Sequence, residues 1–82
     1  MMPLYFFHVH DGSSTRDYEG TELRDIFEAQ EEAIRLSGAL LGELGGKFWD
    51  GEDWSLEVTD EAGQGLFILR FSAKEGPGFN SS

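Results

Sequence analysis

The sequence predicts an α+β domain in which a four-stranded, mainly antiparallel sheet carries one amphipathic helix on one face. Three observations predict it: two strand-like segments at each end of the chain, one long segment with helical apolar spacing between them, and turn signals that separate all five. A chain of 82 residues has room for one hydrophobic core. We therefore expect a single domain over residues 1–73 and a disordered tail over residues 74–82, which are rich in glycine and serine.

The first predicted strand is Leu4–His10, and it ends at Asp11-Gly12, a strong turn signal. Side chains alternate along a strand, so three apolar residues share one side that we assign to the core: Tyr5, Phe7 and Val9. Residues 15–18 are polar and lie between turn signals. They predict a short partner strand at the edge of the sheet.

The helix is the clearest element of the sequence. Asp25 followed by Glu28 resembles a capping box, in which an acidic side chain accepts hydrogen bonds from the first free amide groups. Gly45-Gly46 predicts the end of the helix, because glycine adopts the left-handed cap conformation without strain. The predicted core face has apolar or small residues at three- and four-residue steps: Ile26, Ala29, Ala33, Leu36, Leu40 and Leu44.

A second apolar stripe on this helix consists of Phe27, Ile34 and Leu41. These residues are seven apart and lie about a quarter turn from the first stripe. One interpretation is a broad core face beneath aromatic neighbours. The other is a contact surface for another subunit, and the spacing alone does not separate the two.

The second half of the chain predicts a β-hairpin. Trp54–Thr59 alternates between apolar and polar residues, residues 60–63 supply a turn, and residues 66–72 are apolar on both faces. A strand that is apolar on both faces is typical of a central position, so we expect the spatial strand order second, first, fourth, third. The face opposite the helix would then be largely apolar, with Leu4, Phe6, His8, Leu66 or Phe67, Ile68 and Arg70, and would need a cover.

Composition excludes several classes of partner. Sixteen acidic and six basic residues give a formal charge of −10, which repels phosphate backbones and anionic lipid. We therefore expect no direct binding of nucleic acid or membrane, whereas a basic protein partner is electrostatically favoured. The chain has no cysteine and no apolar run near the ~20 residues that span a bilayer, which indicates a reducing cytoplasmic setting.

Two histidines form the most suggestive chemical pattern. His8 and His10 point the same way on a strand, and Asp11 follows them, so the three could hold a divalent metal ion or support a metal-dependent enzyme. Two ligands do not make a site, and two partly exposed strand histidines beside a turn are the simpler interpretation. Residues 50–53 gather acidic side chains around a glycine but lack the spacing of an EF-hand, so we interpret them as a solvated loop.

Aromatic residues near the middle loop suggest a further alternative. Phe48, Trp49 and Trp54 could form a patch that binds a small ligand, although such residues more often cover the end of a sheet. No feature of the sequence selects a ligand.

Three blocks of sequence carry a family resemblance: residues 5–12 (YFFHVHDG), residues 17–23 (DYEGTEL) and residues 56–63 (LEVTDEAG). Together with the LxxLxF pattern at residues 66–71, the chain resembles a family of short bacterial proteins known only as a domain of unknown function. The resemblance covers roughly residues 3–73. It differs at Arg24, where the family has proline before the helix. The resemblance implies a fold and a bacterial cytoplasmic setting, and it transfers no catalytic residue.

We therefore expect a non-catalytic protein-interaction or regulatory module that forms a homodimer or a larger homo-oligomer. The surplus of apolar surface over what one helix can cover motivates this hypothesis. The predicted contact residues lie on the uncovered sheet face and on the second helix stripe: Phe6, Ile68, Arg70, Phe27, Ile34 and Leu41.

Overall fold

The computed structural model describes residues 2–11, 14–50 and 53–79 and confirms the α+β class. Its elements in chain order are β1 (Leu4–His10), β2 (Ser14–Thr15), β3 (Thr21–Glu22), α1 (Ile26–Leu44), a 3-10 helix (Gly45–Asp50), β4 (Trp54–Thr59) and β5 (Gly65–Phe71). Three predictions fall partly outside the described residues: the first turn at Gly12, the acidic loop at residues 51 and 52, and the tail at residues 80–82.

All strand pairs in the sheet are antiparallel, and β1 has neighbours on both sides. On one side it pairs with β4, and β4 pairs with β5. On the other side β3 pairs with the start of β1 and β2 pairs with its end. The single partner strand predicted at residues 15–18 is therefore replaced by two short strands, and residues 16–20 connect them.

The predicted strand order is wrong, because β4 and not β5 lies beside β1. The prediction took apolar residues on both faces as the sign of a central strand. In the structure β4 is central although its outer face is polar. Its inner residues Trp54, Leu56 and Val58 are at most 2% exposed, as is usual for a strand in the middle of a sheet. Strand β5 is apolar on both faces but lies at the edge, where its Ile68 is 50% exposed.

Both ends of α1 are where the sequence predicts them. The Asp25 carboxylate accepts a hydrogen bond from the Glu28 N–H at 2.9 Å. The Glu28 carboxylate accepts from the backbone N–H of Arg24 at 3.1 Å and from its Nε at 2.9 Å, so the reciprocal bond of the cap goes one residue further back than in a standard capping box. At the other end Gly45 has a positive φ of 53°, and its N–H donates to the Leu41 carbonyl.

The core lies between α1 and the sheet, and α1 packs mainly on β4. Tyr5 and Phe7 are buried and Val9 is half-buried, which confirms the predicted core side of β1. The helix contributes mostly small residues at its closest approach: Ala29, Ala33 and Ser37. Ser37 was not predicted there, and Ile26, predicted in the core, is 36% exposed.

The face of the sheet opposite α1 is mostly polar, so the prediction that it is largely apolar is wrong. Strand β4 places Ser55, Glu57 and Thr59 there, opposite His10, His8 and Phe6 of β1. Ile68 and Arg70 of β5 lie on this face as predicted, opposite Glu57 and Ser55, whereas Phe67 belongs to the core side, where it pairs with Val58. This face is polar because every second residue of β4 is polar and points to it.

The described part of the chain contains no helix that combines the length and the apolar character needed to cross a membrane.

Candidate functional site

His8 is buried in the sheet, with 5% of its surface exposed. Its Nδ1 accepts a hydrogen bond from the backbone N–H of Asp17 at 3.1 Å, and its Nε2 lies 3.0 Å from Thr59 Oγ1. Because Nδ1 acts as an acceptor, the ring proton is assigned to Nε2, which donates to Thr59. Both nitrogens of His8 therefore take part in the fold, and a metal ion at either one, or a proton added to Nδ1, would displace a hydrogen bond.

Asp17 holds the segment between β2 and β3 against β1. Its Oδ2 accepts from the Phe7 N–H at 3.2 Å, and its Oδ1 accepts from the N–H groups of Glu19 and Gly20 at 3.1 Å each. Partial burial of the carboxylate raises its pKa, but the N–H donors on Gly20, Phe7 and Glu19 together lower it by more, so the pKa lies below its ordinary value of 3.8. The carboxylate thus remains charged where it replaces a strand as the partner of the Phe7 N–H.

Asp17 was missed in the sequence, although a recognisable signal was present. An aspartate that precedes a Glu-Gly pair is typical of a turn in which the side chain accepts backbone amides two and three residues later. Gly20 fits this turn with a φ of +75°. The partner on β1, however, lies ten residues away in sequence, and only the folded chain identifies it.

His10 and Asp11 do not join His8 in a metal site in the structure. His10 Nδ1 lies 2.9 Å from Ser14 Oγ, its Nε2 lies 3.4 Å from Glu57 Oε1, and Asp11 is exposed after the end of β1. Within residues 2–11, 14–50 and 53–79, no three His, Cys, Asp or Glu side chains form a group that could hold a metal ion. Metal binding at His8, His10 and Asp11 stays a prediction, which metal analysis of tag-free protein and of its His10→Ala variant would test.

The three aromatic residues of the predicted ligand patch separate in the structure. Trp54 is 2% exposed and packs against Phe71, with ring centroids 5.3 Å apart. Phe48 packs against the core, whereas Trp49 contacts Phe48 edge-on and is 68% exposed. Trp54 therefore serves the core, and the use of Phe48 and Trp49 as a ligand surface stays a prediction.

The second stripe of α1 keeps two large apolar side chains exposed. We call Phe27, Ile34 and Leu41 the α1 flank. Phe27 is 69% exposed, Ile34 is 61% exposed and Leu41 is half-buried. Leu41 lines a groove with Phe48 and Phe71, which shows that the α1 flank is on the β5 side of the helix.

The outer edge of β5 has no strand beside it in the described part of the chain. The outward backbone N–H and C=O groups of an edge strand can in general pair with another strand. The sequence prediction missed this edge because it placed the strand in the middle of the sheet. The α1 flank and this open edge lie on the same side of the molecule.

These features define a small α+β domain whose antiparallel sheet carries one helix and leaves one edge open. The chain belongs to the family described as Domain of unknown function (DUF6894), whose sequence model matches residues 4–72. The match confirms the predicted membership in a family of unknown function. Comparison with curated proteins gave no match, and comparison with solved structures gave none either.

Proposed function

We propose that this protein is a cytoplasmic, non-catalytic interaction module that acts by associating with further copies of itself. One observation carries the proposal: the exposure of Phe27 and Ile34 on a regular, well-capped helix. Covering an exposed side chain of this size is worth about 1.5–3 kcal/mol, so two of them supply a substantial part of a binding free energy.

The fold alone does not require large apolar residues at these positions. Helix α1 contacts the sheet through Ala29, Ala33 and Ser37, which are at most 1% exposed. Phe27 and Ile34 point away from that contact and add little to the core. Polar side chains would hold the helix equally well there, as Glu31 and Arg35 do elsewhere on the exposed surface of α1.

A second copy fits this side of the molecule better than the basic partner that the net charge suggests. Residues 62–74 include β5 and contain two basic residues, Arg70 and Lys74, but no acidic residue. The sixteen acidic residues all lie elsewhere in the chain. Strand β5 itself therefore offers a basic protein no carboxylate, although Glu57 of β4 lies beside Ile68.

Light scattering coupled to size-exclusion chromatography tests the proposal. Between low and high micromolar concentration we expect the molar mass to rise from that of one chain towards that of two or more. A mass of one chain throughout this range would refute self-association. Because contact through the flank is apolar, the association should persist in high salt, which separates it from charge-driven contacts.

A further inference from the structure

We propose that a second copy docks on the open edge of β5, so that two β5 strands pair antiparallel across a twofold axis and the two α1 flanks face each other. The inference rests on the proposed self-association and specifies its surface. The result is one continuous sheet with both helices on the same face. Such pairing satisfies the backbone groups of both open edges at once.

The edge of β5 carries few of the features that keep natural edge strands apart. It is seven residues long, contains no proline, and has Arg70 as its only charged residue. The one irregularity in its pairing is at its start, beside Val58 and Thr59 of β4. Long, apolar edges without such protection are the ones that pair with another strand.

Helix α1 runs along β5, and Leu41 of the flank reaches the end of this strand. At one end Ile26 and Leu66 line the same groove, and at the other end Leu41 and Phe71 do. The helix and the strand therefore run in the same direction. Ile34 lies near the midpoint between the two grooves along α1, and Ile68 is the middle residue of β5.

This alignment makes the surface complementary to itself under a twofold rotation. An axis through the middle of β5 places Ile34 of one copy against Ile34 of the other, and Phe27 against Leu41 of the other. On the opposite face the two Ile68 side chains become neighbours, each 50% exposed in the single chain. A twofold interface requires this kind of matching, in which each patch meets its own counterpart.

The expected spacing of the two helices suits the large side chains of the flank. Since α1 packs mainly on β4, the two helices would be about three strand spacings apart, ~14 Å. Helices in direct contact are ~8–10 Å apart, so small residues would leave a gap between them. Phe27 and Ile34 project into that gap from both sides and can fill it.

A second copy would cover several exposed apolar side chains at once. Phe27, Ile34 and Ile68 are 69%, 61% and 50% exposed. Two chains of formal charge −10 repel each other, and Glu57 lies beside Ile68 at the proposed contact, although residues 62–74 themselves contain no carboxylate. Apolar burial has to offset this repulsion, so we expect a dimer of modest affinity.

The experiment uses opposite charges at the position nearest the axis. Alone, the Ile34→Glu chain and the Ile34→Lys chain should each dissociate at least roughly a hundredfold more readily than wild type, because like charges would meet at the axis. An equimolar mixture of the two should restore the dimer. Ala39→Glu places the same charge on the exposed face of α1 away from the flank and should retain the wild-type mass.

A cross-link gives a second and independent measurement. The natural chain has no cysteine, so Ile34→Cys introduces a single thiol. A short bismaleimide reagent should join two Ile34→Cys chains efficiently and two Ala39→Cys chains poorly. Circular dichroism checks that every variant keeps its fold, which we expect because both positions are exposed.

The outcomes separate this inference from the proposed function. A wild-type monomer at high micromolar concentration would overturn both. A wild-type oligomer that persists in Ile34→Glu would overturn only the pairing of two β5 strands and would leave the proposed self-association in place. If the charged variants are monomeric but their mixture is too, Ile34 does not meet its counterpart and the twofold arrangement is wrong.

Discussion

The two edges of the sheet differ in how their backbone groups are satisfied. Along the outer edge of β1, β3 pairs with Leu4 and Tyr5, β2 pairs with Val9 and His10, and the Asp17 carboxylate accepts the Phe7 N–H between them. Along the outer edge of β5 the described chain provides no partner strand. One edge is sealed by specific side chains and the other is left available, so edge protection in this protein is local to β1.

The seal on β1 is reciprocal. Asp17 accepts a backbone N–H from β1, and His8 of β1 accepts the backbone N–H of Asp17. Each residue therefore positions the other, and Thr59 of β4 holds the remaining nitrogen of His8. Among the residues that the structure describes, no side chain seals β5 in this way; Ile68 and Arg70 of β5 lie on the polar face of the sheet. This contrast predicts that substitutions beside β1 reduce the free energy of unfolding of the single chain. Substitutions of exposed side chains on β5 should instead weaken the association of two chains.

The largest loss of stability is expected for Asp17→Ala. The variant leaves the N–H groups of Phe7, Glu19 and Gly20 without their acceptor, and we expect the free energy of unfolding to fall by about 2–3 kcal/mol. Asp17→Asn keeps an acceptor oxygen and should lose less. Urea denaturation measures the change, and Asp53→Asn at an exposed position is the matched control. Equal stability of Asp17→Ala and wild type would contradict the proposed seal.

The same carboxylate predicts how stability depends on pH. Because the folded chain lowers the pKa of Asp17 below 3.8, its contribution is present above that pH and is lost as the pH falls through the folded pKa. Wild type should therefore lose more stability than Asp17→Asn between neutral pH and about pH 3. Parallel curves of unfolding free energy against pH for the two proteins would show that the charge of Asp17 has no such role.

Gly20→Ala should reduce the free energy of unfolding by about 2 kcal/mol, because a left-handed backbone is unfavourable for alanine and the new methyl group is crowded. The φ of Gly20 is +75°, and an added Cβ would lie 2.9 Å from Phe6 Cε2. Gly42→Ala, in α1 with open space around it, should instead stabilise by about 0.5–1 kcal/mol. Thermal unfolding of the two variants should therefore shift in opposite directions.

Thr59→Val should cost about 1 kcal/mol, because it preserves shape but removes the hydroxyl that accepts from His8 Nε2. Nitrogen NMR of the imidazole provides the more specific measurement. In wild type the proton of His8 should reside on Nε2, since Nδ1 accepts the Asp17 N–H. A proton on Nδ1 of the folded neutral ring would contradict this network.

The smallest effect on the stability of the single chain is expected for Ile68→Lys. Ile68 is half exposed and lies opposite Glu57, so the change should stay within about 0.5 kcal/mol at low protein concentration. Its neighbour Leu69 packs against the core, so Leu69→Lys should be clearly destabilising. In the proposed dimer Ile68→Lys places two like charges beside the twofold axis, so the variant should associate more weakly than wild type at high concentration.

Hydrogen exchange compares the two edges directly. The Phe7 N–H should be protected at every protein concentration, since Asp17 of the same chain accepts it. The backbone amides of β5 that point away from β4 should exchange rapidly in dilute solution and slowly in concentrated solution. Protection of β5 that does not change with concentration would remove the contrast between the edges.

The sequence of neighbouring residues by itself determined the ends of the helix, the inner side of β1 and the turn of the hairpin. The boundaries of α1 follow from Asp25, Glu28 and Gly45, because capping depends on neighbours within a few residues. The inner side of β1 follows from its alternation, for the same reason. The turn of the hairpin also has glycine where the sequence predicts it, with Gly63 at a φ of 81°.

Only the tertiary structure decided which strand is central, which face is polar and what His8 does. These properties depend on pairs distant in sequence, such as Phe7 with Asp17, His8 with Thr59 and β1 with β4. The number of apolar residues could not show which strand is central. A polar side chain is stable on a central strand when a partner on the neighbouring strand forms a hydrogen bond with it. The sequence determined the helix and the strands, and long-range pairing determined which edge of the sheet stays open.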